Sequence, residues 1–316
     1  MFNIPFHCER SITINRHISV VAPVIGDFNT WKNWSPWVCM EPECDMQITG
    51  GINEVGHAQS WDGDRIGAGN MVMTAKSDTQ FSYDLEFIKP WKSKSAVTFS
   101  LEGHGGDTKV TWTMRGGISV FMFFAKRKMR AAVENDYDRG LMMLKDYAEE
   151  GHVASETILE GLEEKAGFHY IGFRRSASLD DMATEMSKDF GQMTEWVTEG
   201  ELQEPDRYMA LYHKFDMVNR QCDFTSVLAY DERPENPKNL LAGIIPDHSV
   251  LRATHTGAYK FLGNAWSTVM AEQTGQKLKL DKKAPSYEVY VNSPSEAIPE
   301  ELITEINVPI SLPKEN

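Results

Sequence analysis

The chain has 316 residues, of which 41% are hydrophobic and 25% are charged, as in a globular protein with two domains. Its net charge of −14 argues against broad nucleic-acid binding, which needs a basic face. The four cysteines form no CxxC pair or Cys/His cluster, and no P-loop or dinucleotide fingerprint is present, so we expect no metal and no cofactor. The N-terminus lacks a signal-type apolar run, which predicts a cytoplasmic protein.

The first half predicts a β-rich domain closed by one long helix. Residues 11–21 alternate and are β-branched, which indicates an opening strand, and a short helix is expected at residues 22–28. Strand patterns separated by clear turns then follow one another between residues 45 and 115, as in an antiparallel meander. The amphipathic segment 119–150 ends at Gly151 and predicts the closing helix. This order predicts a helix-grip architecture, in which a curved sheet wraps a long helix.

Three tryptophans lie within seven residues, in the run Trp31-Lys-Asn-Trp34-Ser-Pro-Trp37. Such rings either line an apolar cavity or fill the core, and the large area that tryptophan buries favours the core. This run, the turn WDGD at residues 61–64 and the closing segment RGLMMLK at residues 139–145 resemble the polyketide cyclase-like branch of the START-like SRPBCC superfamily over residues 8–150. The resemblance implies a cavity for a hydrophobic ligand and no shared catalytic residues. It makes Trp34, Trp37 and Trp61 candidate cavity walls.

An apolar run followed by a basic one occupies residues 121–130. It is typical of a membrane-surface segment or, more often, of a helix start that lines a cavity, so we do not expect membrane binding. The Glu-rich segment that follows is expected to be a linker at residues 151–164, leading towards a strand. The predicted domains are therefore residues 1–150 and 165–316.

The second half repeats one order of elements. A strand at residues 168–174 precedes a helix from residue 182, which a capping box at Ser178–Asp181 announces, and two strands follow at residues 208–214 and 222–230. The same order returns as a strand at 248–255, a helix at 260–273 and strands at 286–291 and 303–310. A duplicated β-α-β-β unit pairs its two halves and creates a cleft between them, which is a usual place for a ligand. The fold class expected for the whole chain is α+β.

The strand at residues 286–291 carries an acid at its centre. Because side chains alternate along a strand, Glu288 and Tyr290 share one face, and Tyr287 lies on the other. On strand statistics alone, Glu288 points to solvent; if it points inward, it needs a partner, which a ligand can supply. Tyr290 is one candidate aromatic side chain for contact with a ligand, and strand parity and helix position indicate six more. They are Tyr208, Tyr212, Phe224, Tyr230, Trp196 and Trp266.

Three motifs of this half resemble the GyrI-like domain, which is also the effector-binding domain of AraC-type regulators. They are His255-x-Gly257-x-Tyr259, the run YEVY at residues 287–290, and the run PEELITEINVP at residues 299–309. The resemblance covers residues 165–312. It implies that a buried acid on the penultimate strand receives a ligand, often an aromatic or lipophilic cation, and Glu288 lies at that position. A lone histidine before a turn is more often structural than catalytic, and His255 is interpreted so.

These observations predict a binding or sensing protein for small lipophilic or cationic molecules, with two ligand-binding domains. No basic recognition helix is visible, so we expect no direct DNA binding. A transcription-related effector-binding protein without its own DNA-binding domain is one form of this prediction. One alternative is an enzyme, either a hydrolase with Glu288 as general base or a cyclase-like activity in the first domain. Another is a regulatory protein that binds a protein partner.

Overall fold

A computed structural model describes residues 3–311, apart from the side chains of residues 3, 119, 121 and 122. The chain divides into two compact units, Met1–Val153 and Ala154–Asn316. Each unit combines an antiparallel sheet with helices, so the protein is α+β. Among the described residues, no helix is long and apolar enough to cross a membrane.

The first unit is a seven-stranded antiparallel sheet with one long helix. The strands are ordered β1-β7-β6-β5-β4-β3-β2, so every neighbour but β1 follows in sequence, as a meander requires. The elements are β1 (Asn3–Ile14), α1 (Ile18–Gly26), α2 (Phe28–Trp31), β2 (Asp45–Thr49), β3 (Ala58–Asp62), β4 (Ala68–Lys76), β5 (Gln80–Lys89), β6 (Ser93–His104), β7 (Asp107–Ser119) and α3 (Lys126–Glu150). Helix α3 packs along β1 and ends at Gly151, which adopts a left-handed conformation with φ of 81°.

The opening strand was predicted to reach residue 21, and this is wrong. The strand ends at Ile14, and residues 18–26 form α1 despite their β-branched side chains. The His17 side chain caps this helix by accepting a hydrogen bond from the backbone N–H of Ser19. Burial of Val21 and Ile25 against the sheet then outweighs the weak strand preference of the sequence.

The second unit is a nine-stranded antiparallel sheet with two helices. Its strands are ordered β12-β9-β11-β10-β15-β16-β13-β8, and β14 pairs with β16. The elements are β8 (Ser155–Lys165), β9 (Phe168–Ser178), α4 (Met182–Thr198), β10 (Arg207–Asp216), β11 (Gln221–Tyr230), β12 (Leu241–Ile245), β13 (His248–Gly257), α5 (Leu262–Gly275), β14 (Lys279–Leu280), β15 (Ser286–Tyr290) and β16 (Ile303–Ser311). In chain order, β9 is followed by α4, β10 and β11, and β13 is followed by α5, β14, β15 and β16.

The segment interpreted as a linker is mostly β8, which pairs with β13. Half-buried and exposed residues alternate along it, and the exposed positions include Glu156, Glu160 and Glu164. Charges on the outermost strand of the sheet discourage pairing with another chain. The glutamates that suggested a solvated linker therefore belong to the open face of an edge strand.

Both helices of the second unit cover the same face of the sheet. Ala265 and Val269 of α5 pack on Ile306, while Met186 of α4 packs on Ala210. Ala210 and Ile306 are the direct partners of Glu288 on its two neighbouring strands. The acid therefore lies on this face, between the regions that the two helices cover.

Candidate functional site

Glu288 lies at the centre of β15, inside the protein. Glu288 is only 2% exposed, so its side chain points inward. The interpretation that it points to solvent is wrong. β15 lies between β10 and β16, and both neighbours present small or apolar side chains beside the acid. An unpaired charge at such a place is costly, so its hydrogen-bond partners decide what the site can do.

Three neutral donors reach the carboxyl group of Glu288. The hydroxyls of Tyr212 and Tyr290 each donate to Oε2 at 2.8 Å. The indole Nε1–H of Trp266 donates to Oε1 at 2.6 Å. Strand alternation brings Tyr290 and Tyr212 to this face, and α5 supplies Trp266 from above. Both carboxyl oxygens are therefore held in place by groups that carry no charge.

Burial and these hydrogen bonds act on the pKa of Glu288 in opposite directions. Burial raises the pKa, and the bonds from Trp266, Tyr212 and Tyr290 lower it, leaving it above its ordinary value. The pKa values of Tyr212 and Tyr290 are raised well above the usual range, first by burial and then by the charge of Glu288. Both tyrosines therefore stay protonated and act as donors.

Three half-buried aromatic side chains contact the acid and two more pack on one of them, and we call these five the aromatic collar. They are Tyr212, Trp266, Tyr290, Tyr259 and Phe190. The ring centroids of Tyr212 and Trp266 are 5.3 Å apart, and Tyr290 lies 5.6 Å from both Tyr259 and Phe190. Aromatic faces attract cations, and a carboxylate beneath them supplies the opposite charge. The arrangement is suited to an organic cation with apolar substituents.

The predicted ring donors fall into two groups. Tyr212, Tyr290 and Trp266 meet at Glu288, and Tyr208 follows at the edge, where its ring lies 6.2 Å from Phe190. Phe224 pairs with Tyr212 across β10 and β11 and is fully buried in the core beside the site.

Tyr230 and Trp196 lie in another core cluster, around Met193 and Leu228. The Tyr230 hydroxyl donates to the backbone carbonyl of Gln203. The Trp196 ring packs on Phe173 and under Lys238. Both side chains thus have structural contacts, and the helical period of α4 does not indicate which of its turns lies above which part of the sheet.

Two collar residues were not predicted as site residues. Tyr259 follows β13 in a short 3₁₀ turn, which has no period to reveal where a side chain points. Phe190 is one of the apolar positions of α4. Its spacing from Met186 and Met193 marks the buried stripe of the helix, but not its contact with Tyr290.

Trp34 and Trp37 form part of an aromatic core in the first unit. Trp34 is fully buried, with ring centroids 4.6 Å from Trp31 and 5.9 Å from Trp112. Trp37 packs edge-on against Trp112 at 5.7 Å. Trp61 lies apart from them, on β3. Trp34 and Trp37 therefore contact other rings, as the core interpretation expects.

No curated protein matches the chain significantly. Solved structures that are similar to part of the chain include the following three, each with a TM-score below 0.5. The Zhui aromatase/cyclase from Streptomyces sp. R1128 is 13% identical, with 46% of this chain and 94% of that chain covered and a TM-score of 0.38. The Aha1 dimer from Colwellia psychrerythraea is 19% identical, with 48% and 98% covered and a TM-score of 0.34. EcmrR in complex with DNA is 18% identical, with 61% and 72% covered and a TM-score of 0.39.

Family models match both halves of the chain. Residues 5–149 match the family described as polyketide cyclase/dehydrase and lipid transport. Residues 162–311 match the GyrI-like small molecule binding domain, and this range contains Glu288 and the whole aromatic collar. The first half of the chain thus carries a polyketide cyclase-like SRPBCC domain, and the second half carries a GyrI-like domain.

Proposed function

We propose that the protein binds lipophilic organic cations at Glu288. The observation that carries this proposal is a buried carboxyl group whose hydrogen bonds come only from neutral groups. Within residues 3–311, Glu288 forms no ion pair. A bound cation supplies the missing opposite charge, and the collar rings contact its apolar substituents.

Binding fits this geometry better than hydrolysis. A general base needs a free lone pair directed at the water that it activates. Three donors take three of the roughly four acceptor positions of the Glu288 carboxylate, and by stabilising its charged form they make it a weaker base. The arrangement therefore favours a carboxylate that keeps its charge while a cation is bound.

A helix-grip in the first domain, predicted as residues 1–150, and a duplicated β-α-β-β unit in the second, predicted as residues 165–316, are also part of what we propose. β8 adds an edge strand to this second domain through its pairing with β13. The recurrence of one strand, one helix and two strands supports the duplication, since both helices cover the face that holds Glu288. We propose that the helix-grip domain takes a hydrophobic ligand. All four cysteines are free, which agrees with a cytoplasmic location.

The proposal is tested by titrating the full chain with a panel of lipophilic cations: quaternary ammonium ions, a triarylphosphonium and cationic dyes. Binding is followed by fluorescence, since Trp266 lies in the site. At least one cation should bind. Glu288→Gln should lower its affinity by about tenfold or more, as expected when a buried charge pair is lost. Thermal melting confirms that the variant is folded. Equal affinity of both proteins for every cation that binds would refute the role of Glu288.

A further inference from the structure

A second polar feature lies on the same sheet face as Glu288 and begins on the next strand, β16. Thr157 of β8 pairs with His255 of β13, and His255 pairs with Thr304 of β16. Thr304 in turn pairs with Tyr290 of the aromatic collar. Directly paired residues of antiparallel strands point to the same face. Thr157, His255 and Thr304 therefore form one line of side chains that starts beside the acid site, and we call it the polar row.

Each member of the polar row has a buried polar atom that lacks a hydrogen-bond partner in the described part of the chain. These atoms are the Oγ1 atoms of Thr157 and Thr304 and Nδ1 of His255. The side chains of His255 and Thr304 are fully buried. Buried polar groups are almost always paired, because leaving one unpaired costs stability. Three in one line indicate that something outside the chain completes them.

The chemistry of His255 defines what that partner offers. Its Nε2 faces the backbone carbonyl of Ala258 at 3.4 Å, so Nε2 carries the hydrogen. Burial lowers the pKa of the imidazole, which keeps it neutral. Nδ1 is then an acceptor, and the neighbouring threonine hydroxyls can accept or donate. The partner is therefore a neutral O–H or N–H donor.

Chain connections join the polar row to the acid site. Ala258, whose carbonyl faces His255, directly precedes Tyr259, whose ring packs on Tyr290. From β15 to β13 there are two strand spacings, or about 10 Å. We propose that the cation bound at Glu288 carries a hydroxyl or amide N–H about 10 Å from its charged centre, and that this group binds His255 and Thr304. This inference rests on the proposed function of Glu288 and adds a second recognition point to it.

The test compares two probes of equal length, octyltrimethylammonium and its ω-hydroxy derivative, binding to the full chain. The wild-type protein should prefer the hydroxylated probe by about five- to tenfold, the value of one well-made hydrogen bond. Thr304→Val keeps the shape of the side chain, and His255→Phe keeps a ring of similar size. Each variant should reduce this preference towards one and leave the affinity for octyltrimethylammonium unchanged. Because the result is a ratio of two affinities, a general loss of stability does not imitate it.

Thr268→Val is the matched control, because it removes a buried hydroxyl that already bonds the carbonyl of Asn264. It should keep the full preference. Two results would overturn the inference: equal affinities of the wild-type protein for both probes, or an unchanged preference in both polar-row variants. Ordered water would then be the partner of the polar row. Glu288→Gln reports on the proposed function separately. If it leaves octyltrimethylammonium binding unchanged, the cation site itself is refuted.

Discussion

At the scale of single residues, Glu288 is defined by the balance between its burial and its donors. Burial raises its pKa, while Trp266, Tyr212 and Tyr290 oppose the rise without adding charge. Neutral donors stabilise a carboxylate less than a cation does, so the site remains able to gain from a positive ligand. The same balance makes the affinity for cations dependent on pH.

The affinity for a permanent cation should increase with pH and then level off. Only the ionised form of Glu288 attracts the cation, and its pKa lies above the ordinary 4.5, so the increase extends above that pH. Calorimetric titration with phenyltrimethylammonium over a series of pH values measures this profile, since the probe does not titrate. Glu288→Gln should give a flat profile. If the variant shows the same increase, another group is responsible.

Removing one donor should weaken binding while keeping the ring contacts. Tyr290→Phe deletes a 2.8 Å hydrogen bond to Glu288. Its loss raises the pKa of the Glu288 carboxyl group further and leaves that group less firmly positioned. Because this bond exists in the free protein as well, the loss of affinity comes from the smaller ionised fraction of Glu288 and its less fixed position, and we expect about tenfold weaker binding of phenyltrimethylammonium at neutral pH. Tyr208→Phe is the control, because Tyr208 lies on the same face at the edge of the site. Equal losses in both variants would show that the hydroxyl–carboxylate bond has no special role.

At the scale of elements, strand alternation accounts for what the sequence could predict. It placed Glu288, Tyr290 and Tyr212 on one face, and the sheet register confirms this. Helices were harder to place, because their apolar period shows which side is buried but not which strand lies beneath. Trp196 was therefore named as a candidate beside Glu288, whereas its ring packs on Phe173. At residues 18–21, a local cap and core burial produced a helix where β-branched residues had indicated a strand.

The tryptophan-rich segment of the first unit offers a second test at this scale. Trp34 is fully enclosed by other rings, so Trp34→Ala should lower the free energy of unfolding by about 3–5 kcal/mol. Trp91 is 51% exposed, and Trp91→Ala should change it by less than about 0.5 kcal/mol. Urea unfolding followed by near-UV circular dichroism measures both. Similar small effects would mean that Trp34 borders an open space rather than a packed core.

At the scale of the whole molecule, two units of different architecture are joined in one chain. The first encloses an aromatic core between its sheet and helices, and the second holds a buried acid beneath an aromatic collar. The net charge of −14 adds a weak attraction for cations, which salt screens. Binding at Glu288 must therefore be separated from this general attraction, and the affinities are best compared at physiological ionic strength.

The most direct test pairs a cation with a neutral molecule of the same shape: phenyltrimethylammonium and tert-butylbenzene, each displacing a bound cationic dye. Glu288→Gln should lower the affinity for the cation by about tenfold or more, because only the cation interacts with the carboxylate charge. It should change the affinity for the neutral isostere by less than about twofold. Loss of both ligands to the same extent would mean that Glu288 shapes an apolar site. Unchanged binding of the cation would contradict the proposed role of Glu288.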